Sequence, residues 1–413
     1  MRMETPRSTY SYQALLLICC TVTFFCYFGS YMRIPVVPLF AKSFGADTAE
    51  VGMINSSFLL MAGLLSLPLG ILSDRLGRKM LILSGLFVSA LSSFLLYFSS
   101  SAQQLIWIYV LFGIGLSAFA PTMMSFVADF SPVTHLGRSY GWYTLAIYGG
   151  MSLGPACGGM TAQRYGFLAV FLISGILVFA LCWVVFFFLP RARHVLVNRP
   201  PKRKTLVVAK ELFKNTPLLA CWMVTLGGCF GLGMFITFIP LHAQNQGVSI
   251  GGIGVIFATQ AVCNALSRIP FGQLSDKVAK RSNLVVVGLV GFAVCMFGFG
   301  LARNIFMFIL FSAGLGVSMG IAFTAVGALI SEVVPADSRG LAMGGYNSCI
   351  YLGMMLSSLI MGILIEKIGF KNGFFAVAAV NFAATVVFYL MFSSAAASRT
   401  KQAAAQLLSG ARD

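Results

Sequence analysis

An internal repeat constrains this chain more than any other feature of its sequence. The second half resembles the first at an offset of 202 or 203 residues: segment 38–41 corresponds to 240–243, and segment 129–143 to 332–346. The repeated residues lie between long apolar runs. The sequence therefore predicts two similar helical bundles embedded in a membrane. Two such bundles can rock about a central site and expose it to each side of the bilayer in turn.

The composition supports the membrane assignment. Of the 413 residues, 58% are hydrophobic and 9% are charged, and the mean hydropathy is +0.90. A soluble domain does not show this balance. A spanning helix needs about 20 apolar residues, and twelve such spans are predicted, at roughly 13–40, 49–72, 79–99, 103–128, 138–163, 166–189, 216–241, 251–272, 283–301, 304–330, 340–365 and 372–393. The runs do not alternate in polarity, which argues against a β-barrel.

The distribution of positive charge predicts the orientation. With both termini in the cytoplasm, 21 of the 28 Lys and Arg residues lie on the inner side, 5 lie outside, and Arg33 and Arg268 lie within spans. This bias follows the positive-inside rule. We therefore expect a multi-pass protein of the inner cell membrane, divided into a cytoplasmic arm (1–12), a first six-helix bundle (13–190), a basic linker (191–215), a second bundle (216–393) and a cytoplasmic tail (394–413).

Several other classes of function are disfavoured by the sequence. The net charge of +17 is not gathered with aromatic residues on one face, as a nucleic-acid-binding surface would require. The ten cysteines lie in predicted spans and form no C-x-x-C pair, so neither disulfides nor zinc are expected. The three histidines lie in separate loops. We expect no enzyme activity, no cofactor and no metal.

The loop between predicted spans two and three carries a specific motif. Its sequence, Gly70-Ile71-Leu72-Ser73-Asp74-Arg75-Leu76-Gly77-Arg78-Lys79, closely resembles the signature G-x-x-x-D-R-x-G-R-K of the major facilitator superfamily. A degraded copy, residues 272–281, follows predicted span eight, with Ala279 at the second glycine position. The resemblance covers essentially the whole chain. It implies an all-α membrane fold with twelve transmembrane helices in two pseudo-symmetric six-helix bundles.

The signature loops supply candidate gating residues. An acidic side chain at the membrane face is favoured near the positive N-terminal end of a helix from the opposite half. We therefore predict two cross-half latches, Asp74 with Arg339 and Asp276 with Arg138. We also expect Asp129 to balance Arg75, and Glu332 to balance Lys277. The full set of gating candidates is Gly70, Asp74, Arg75, Gly77, Arg78, Asp129, Arg138, Gly272, Asp276, Lys277, Glu332 and Arg339.

Predicted span five contains a second motif. Its segment 150–159 matches the pattern G-x-x-x-G-P-x-x-G-G found in drug and metabolite antiporters of the superfamily, through Gly150, Gly154, Pro155, Gly158 and Gly159. Glycines at this spacing let another helix pack closely. The resemblance favours efflux by antiport, while generic small-residue packing is the alternative.

Proton coupling is implied by the resemblance alone. Antiporters of this group usually carry R-x-x-Q-G-x-G in span four, but here Tyr109 stands at the Arg position and Phe112 at the Gln position. All 11 acidic residues lie in arms, loops or helix ends. A proton-coupled carrier normally needs a titratable group at depth, and the spans offer no obvious one.

The polar residues within the spans are candidates for substrate contact. Arg33, in the outer third of predicted span one, could hold an anionic group, or it could reach the outer headgroups instead. Arg268 is expected to support the second signature loop, with substrate contact as the alternative. The remaining polar residues could line a cavity or join helices by hydrogen bonds. The substrate-binding candidates are Arg33, Asn55, Tyr109, Tyr143, Gln260, Asn264, Asn347 and Tyr351.

These observations predict a secondary active transporter that acts as a monomer and moves a small organic solute across the bilayer by alternating access. Efflux of an amphipathic or drug-like compound across the plasma membrane is the first choice. An organic-anion carrier that uses Arg33 is the second. A membrane receptor or scaffold without transport is the alternative of another class, although a static protein would not need a gating loop.

Overall fold

In a computed structural model of the chain, residues 11–190, 210–278, 280–335 and 338–410 are described, and every regular element in these ranges is a helix. Within those ranges only the backbone is described for a few residues, among them Asp74, Arg75 and Asp276, and for 395–410. The basic linker lies largely outside the described residues.

The helices of the first half lie close to the predicted spans. We number them α1 to α7, with a short 3-10 helix, Val133–His135, before α6. Their bounds are α1 Tyr12–Met32, α2 Val36–Ser43, α3 Thr48–Leu76, α4 Arg78–Phe98, α5 Ala102–Phe130, α6 Leu136–Tyr165 and α7 Phe167–Phe188.

The helices of the second half follow the same order. Their bounds are α8 Thr216–Asn245, α9 Ile250–Lys277, α10 Arg281–Leu301, α11 Ile305–Val333 and α12 Arg339–Gly410. The last element contains one residue with non-helical backbone angles, Gly369, which divides it into the two arms predicted as spans eleven and twelve. Its second arm continues past residue 393, where the predicted span ends.

Glycines with positive φ mark the turns of both halves. Gly45 and Gly247 end the first apolar segment of each half, with φ of 84° and 78°. Gly166 and Gly369 separate the last two spans of each half, with φ of 85° and 77°. A residue with a Cβ is strained at these angles. The pairs are 202 and 203 residues apart, so the repeat seen in the sequence is also a repeat of backbone conformation.

The first predicted span is broken into two helices. The α-helical hydrogen bonds of α1 stop at Met32, and the carbonyl of Arg33 accepts from the backbone nitrogens of both Val36 and Val37, at 3.0 and 2.9 Å. Pro35 lacks an N–H and precedes α2 directly. The chain therefore bends at Arg33 and places this residue at the C-terminal end of α1.

Ten of the described helices are long and apolar enough to cross a bilayer, and α12 counts once although it holds two predicted spans. Helix α6 spans 30 residues but is not among the ten, because glycines, serines and tyrosines replace much of its apolar surface. The protein is an all-α, multi-pass membrane protein.

The chain forms two compact units. The first unit comprises Met1–Leu196, Ile236–Val262 and Arg303–Ile309, and the second comprises Val197–Phe235, Cys263–Ala302 and Leu310–Asp413. Segments from the second half of the sequence thus belong to the first unit. The predicted bundle boundaries at 13–190 and 216–393 stay predictions.

Candidate gating and transport residues

In the first signature loop, the side chain of Arg78 links the ends of three helices. Arg78, the first residue of α4, pairs with Asp129 near the end of α5, and its Nη2 donates to Asp129 Oδ1 at 3.3 Å. Its Nη1 donates to Ser73 Oγ in α3 at 3.3 Å. The Arg78 side chain is 10% exposed and that of Asp129 41%. Asp129 was expected to balance Arg75. Its described partner is Arg78, because the turn at Gly77 (φ 92°) starts α4 beside the end of α5. The side chain of Arg75 lies outside the described part of the chain, so its pairing with Asp129 stays a prediction.

The second half repeats this arrangement with different residues. Arg281 Nη1 pairs with Glu332 Oε1 at 2.6 Å, and Arg281 Nε donates to the Ser275 carbonyl at 2.9 Å. Glu332 was expected to balance Lys277, which is exposed. Arg281 and Glu332 each lie 203 residues after Arg78 and Asp129, so alignment of the repeat alone identifies this pair.

The two predicted latches stay predictions. The side chains of Asp74, Arg75 and Asp276 lie outside the described part of the chain. Their proposed basic partners, Arg138 and Arg339, are both exposed within their own units. Neither pair is therefore tested by the structure.

The glycines of the span-five motif bring α6 against α1. A Cβ on Gly150 would lie 2.5 Å from the Phe24 carbonyl oxygen, and one on Gly154 would lie 2.6 Å from that of Phe28. A Cβ on Gly158 would overlap the Met32 carbonyl. Real Cβ atoms do not approach so closely, so the backbones of the two helices touch along three turns.

The last glycine of the motif packs against a helix from the second half of the sequence. A Cβ on Gly159 would lie 2.6 Å from the Ile250 carbonyl oxygen, and one on Gly254 would lie 2.5 Å from that of Pro155. One turn farther along α6, Gln163 Oε1 accepts from the backbone nitrogen of Gly251 at 2.9 Å. This bond satisfies one of the free N–H groups in the first turn of α9. All of these residues belong to the first unit.

Arg33 is enclosed within the first unit. Its side chain has no exposed surface, which rules out the alternative that it reaches the headgroups. Its Nη1 donates to Ser92 Oγ and Ser93 Oγ in α4, both at 2.9 Å, and its guanidinium lies 3.8 Å from the ring centroid of Phe112 in α5. In this conformation a transported solute has no open surface of Arg33 to contact.

The other substrate candidates are divided between the two units. Asn55, Tyr109 and Tyr143 are buried in the first unit, where the Tyr143 hydroxyl donates to the Ala120 carbonyl at 3.3 Å, and Gln260 is half-buried there. In the second unit Asn264 is buried, Asn347 exposed and Tyr351 half-buried. Their role as the lining of a common cavity stays a prediction.

Arg268, which was expected to support the second signature loop, donates a hydrogen bond within α9. Its Nε donates to Asn264 Oδ1 at 2.9 Å, one turn earlier in α9. The side-chain oxygen of a substrate candidate is therefore already hydrogen-bonded within its own helix.

Sequence reasoning missed the partners of Arg33. The adjacent pair Ser92-Ser93 in an apolar span was the available indication, but nothing in the sequence places that pair beside Arg33. Phe112 had been noted only as a departure from the antiporter pattern. In the structure Phe112 contacts another unusual residue. The guanidinium of Arg33, in span one, lies against Phe112, which occupies the span-four position that usually holds Gln.

The fold and these residues define a class of protein. Long apolar helices in two similar halves, each with an Arg–acid pair at its signature loop, are the features of a polytopic membrane transporter.

The chain belongs to the Major Facilitator Superfamily, whose sequence profile matches residues 19–251 and 229–411. It is accordingly a membrane transporter of a small-molecule substrate and not an enzyme. An MFS-type transporter of Methanocaldococcus jannaschii is 26% identical over 82% of this chain and 88% of its own length. Multidrug resistance protein MdtG of Proteus mirabilis is 25% identical over 91% and 93%, and quinolone resistance protein NorA of Staphylococcus aureus is 23% identical over 83% and 88%.

Solved structures show the same fold. A bacterial homologue of the human lysosomal transporter Spinster has a TM-score of 0.77 at 16% identity and covers 94% of this chain and 96% of its own. The nucleoside transporter NupG has a TM-score of 0.77 at 15% identity, covering 92% and 100%. At these identities the likeness concerns the fold alone.

Proposed function

We propose that this transporter exports an amphipathic or drug-like organic compound by alternating access. The observation that carries the proposal is the close packing of the span-five motif, in which Gly150, Gly154 and Gly158 leave no room for a side chain against α1. This motif is typical of the antiporter branch of the superfamily. The relatives MdtG and NorA, named for multidrug and quinolone resistance, support the same direction of transport.

The orientation and gating proposals rest on charge. The excess of Lys and Arg in predicted inner loops supports an inner-membrane protein with both termini in the cytoplasm. The Arg78–Asp129 and Arg281–Glu332 pairs hold the two signature loops. Asp74 and Asp276 would then be free to engage Arg339 and Arg138 in one state and to release them in the other.

Coupling to a proton, which the resemblance to antiporters implies, would need a titratable group within the membrane. The four acidic residues of the sequence between positions 11 and 190 lie near the ends of α3 and α5. Within the first half, antiport against protons would therefore need a titrating group other than a carboxylate at mid-membrane depth. The proposed monomer needs no partner chain, because both halves are in one polypeptide.

The test is drug accumulation in bacterial cells that lack their own efflux pumps and express the full chain. Ethidium and norfloxacin serve as fluorescent probes. We expect lower steady-state accumulation of at least one probe in expressing cells, and loss of most of this effect in Asp74→Asn at equal membrane content. Gly327→Ala is the matched control, because nothing lies within 4 Å of the added methyl group.

Two other outcomes would contradict export. Equal accumulation with and without the chain, for both probes, would remove the drug-export proposal. In proteoliposomes, saturable probe binding without counterflow would indicate a receptor instead of a transporter.

A further inference from the structure

Only part of the hydrogen-bonding capacity of the Arg33 guanidinium is satisfied by its described neighbours. Its Nη1 donates to Ser92 and Ser93, and its face lies on Phe112. The remaining nitrogens, Nε and Nη2, are buried and have no hydrogen-bond partner among the described residues. In arginine these two N–H groups lie parallel on one edge of the plane, and this edge binds carboxylates and similar anions with two hydrogen bonds.

The neighbouring serines do not provide hydrogen-bond acceptors for Nε and Nη2. Ser92 Oγ donates to the Ser89 carbonyl at 2.7 Å, and Ser93 Oγ donates to the same carbonyl at 3.3 Å. Ser174 Oγ donates to the Gly29 carbonyl at 2.7 Å. Ser92 and Ser93 are thus fixed by a backbone carbonyl and hold Nη1, which orients the guanidinium.

A third unused hydrogen-bonding group lies close by. The Tyr109 hydroxyl is buried without a partner in the described part of the chain, and the Tyr109 ring packs on the same Phe112 ring that the guanidinium of Arg33 lies against. The rings of Phe58, Tyr109 and Phe112 pack on one another, with centroids 4.8 to 6.3 Å apart. The buried region thus offers three N–H or O–H donors and an aromatic wall.

The charge of this region is also unbalanced. In the sequence from 11 to 190, the acidic residues are Asp47, Glu50, Asp74 and Asp129, and all lie near helix ends. A buried cation without a counter-ion is strongly disfavoured in a low-dielectric interior. The negative end of α1 compensates only in part, because a helix terminus carries about half an elementary charge.

We propose that Arg33 and Tyr109 bind a small monovalent anion, a halide or a carboxylate of formate size, as a buried counter-ion in the first unit. Three donors favour a ligand that only accepts hydrogen bonds. The absence of exposed surface on Arg33 and Tyr109 limits the ligand to one that enters during thermal opening. The site goes beyond the proposed export activity and does not depend on it, because the anion stays bound whichever solute is carried.

The test is anion-dependent thermal stability of the purified full-length protein in detergent. Sodium chloride or sodium formate is titrated at constant ionic strength against sodium gluconate, a much larger anion that serves as the reference. We expect a saturable rise in melting temperature with chloride or formate. The more effective of the two identifies a spherical or a planar ligand. Radioactive chloride in equilibrium dialysis gives the stoichiometry, expected to be one per chain.

Two variants and two controls locate the site. Tyr109→Phe removes only the hydroxyl and should weaken the anion affinity about tenfold, since a hydrogen bond to a charged group is worth roughly a factor of ten or more. Arg33→Lys keeps the charge but removes the two-pronged edge, and should weaken the affinity at least as much. Arg164→Lys and Tyr165→Phe make the same two changes at exposed residues that are consecutive in the sequence. Both should leave the anion affinity unchanged.

Equal melting temperatures in chloride, formate and gluconate would overturn the proposal and leave water as the ligand of this edge. An anion effect of the same size in Arg33→Lys would place the anion elsewhere and would also overturn it. If Tyr109→Phe alone binds with wild-type affinity, the hydroxyl is not a ligand and that part of the proposal is wrong. These measurements do not involve transport, so their results can be interpreted even if the export proposal fails.

Discussion

Two pairs of helices, α1 with α6 and α8 with α12, solve the same packing problem with different residues. Gly150 meets the backbone of Phe24 and Phe28, and its repeat equivalent Gly353 meets Leu226 and Phe230. One turn farther on the pairs differ. In the first pair Gly154 on α6 faces Tyr31 on α1, whereas in the second pair Ser357 on α12 faces Gly233 on α8.

The glycine at this contact is therefore on α6 in the first half and on α8, the equivalent of α1, in the second half. A Cβ on Gly233 would lie 2.9 Å from Ser357 Cβ and 2.5 Å from the Met354 carbonyl oxygen. Close approach of two helices needs one glycine per contact, and either helix can supply it. The absence of the span-five motif from span eleven thus reflects a redistribution of glycine and not a loss of close packing.

The largest effect is expected at the tightest contact of the first pair. Gly158→Ala should destabilise the protein by about 3 kcal/mol, because the methyl group must displace the Met32 backbone. Gly327→Ala in α11 has open space, and should stabilise slightly, by about 0.5 kcal/mol, through helix propensity. Thermal unfolding in detergent compares the two. Equal stability of both variants would show that α1 and α6 can separate without cost.

A smaller effect should distinguish the two sides of the glycine exchange. Gly154→Ala adds a methyl group 2.6 Å from the Phe28 carbonyl oxygen, and should cost about 1 to 2 kcal/mol. Ser357→Ala keeps the Cβ and removes a buried hydroxyl that has no partner, and should change stability by less than about 0.5 kcal/mol. The same unfolding measurement applies. A larger loss from Ser357→Ala would reverse the comparison.

The smallest expected difference concerns the two Arg–acid pairs. Asp129→Asn removes the described charge partner of the nearly buried Arg78 and should cost about 1 kcal/mol after allowance for the half-exposed carboxylate. Glu332→Gln affects a pair whose arginine is 22% exposed, and should cost about 0.5 kcal/mol or less. Unfolding at low and high salt checks this order. An equal loss in both variants would mean that burial of the arginine is not what separates the pairs.

Much of the fold could be predicted because lipid imposes a simple rule, a long apolar run for each span. The repeat placed the turn glycines Gly45 and Gly247 in corresponding positions. The break at Arg33 was not predicted, since Pro35 and Pro38 were read as part of one apolar run. The boundary between the last two spans was predicted, because Gly369 divides the last helix between the predicted spans 340–365 and 372–393.

The candidate residues were less predictable for a physical reason. Arg78 and Asp129 were both identified, but the sequence could not show which cation pairs with Asp129, because three arginine or lysine residues within five positions compete for one carboxylate. The surroundings of Arg33 depend on contacts between positions about 60 and 80 residues apart, which periodicity does not report. Here the structure adds partners to residues that the sequence had already singled out.

The hydrogen bond that Gly251 donates to Gln163 has a consequence for how the protein is made. The ribosome releases Gln163 long before Gly251, so the first six spans enter the membrane with the glycine face of α6 still uncovered at Gly159. The first unit reaches its final form only after residues 236–262 have been synthesised and have docked there. Folding of the amino-terminal half of this transporter is therefore completed only after part of the carboxyl-terminal half has been synthesised.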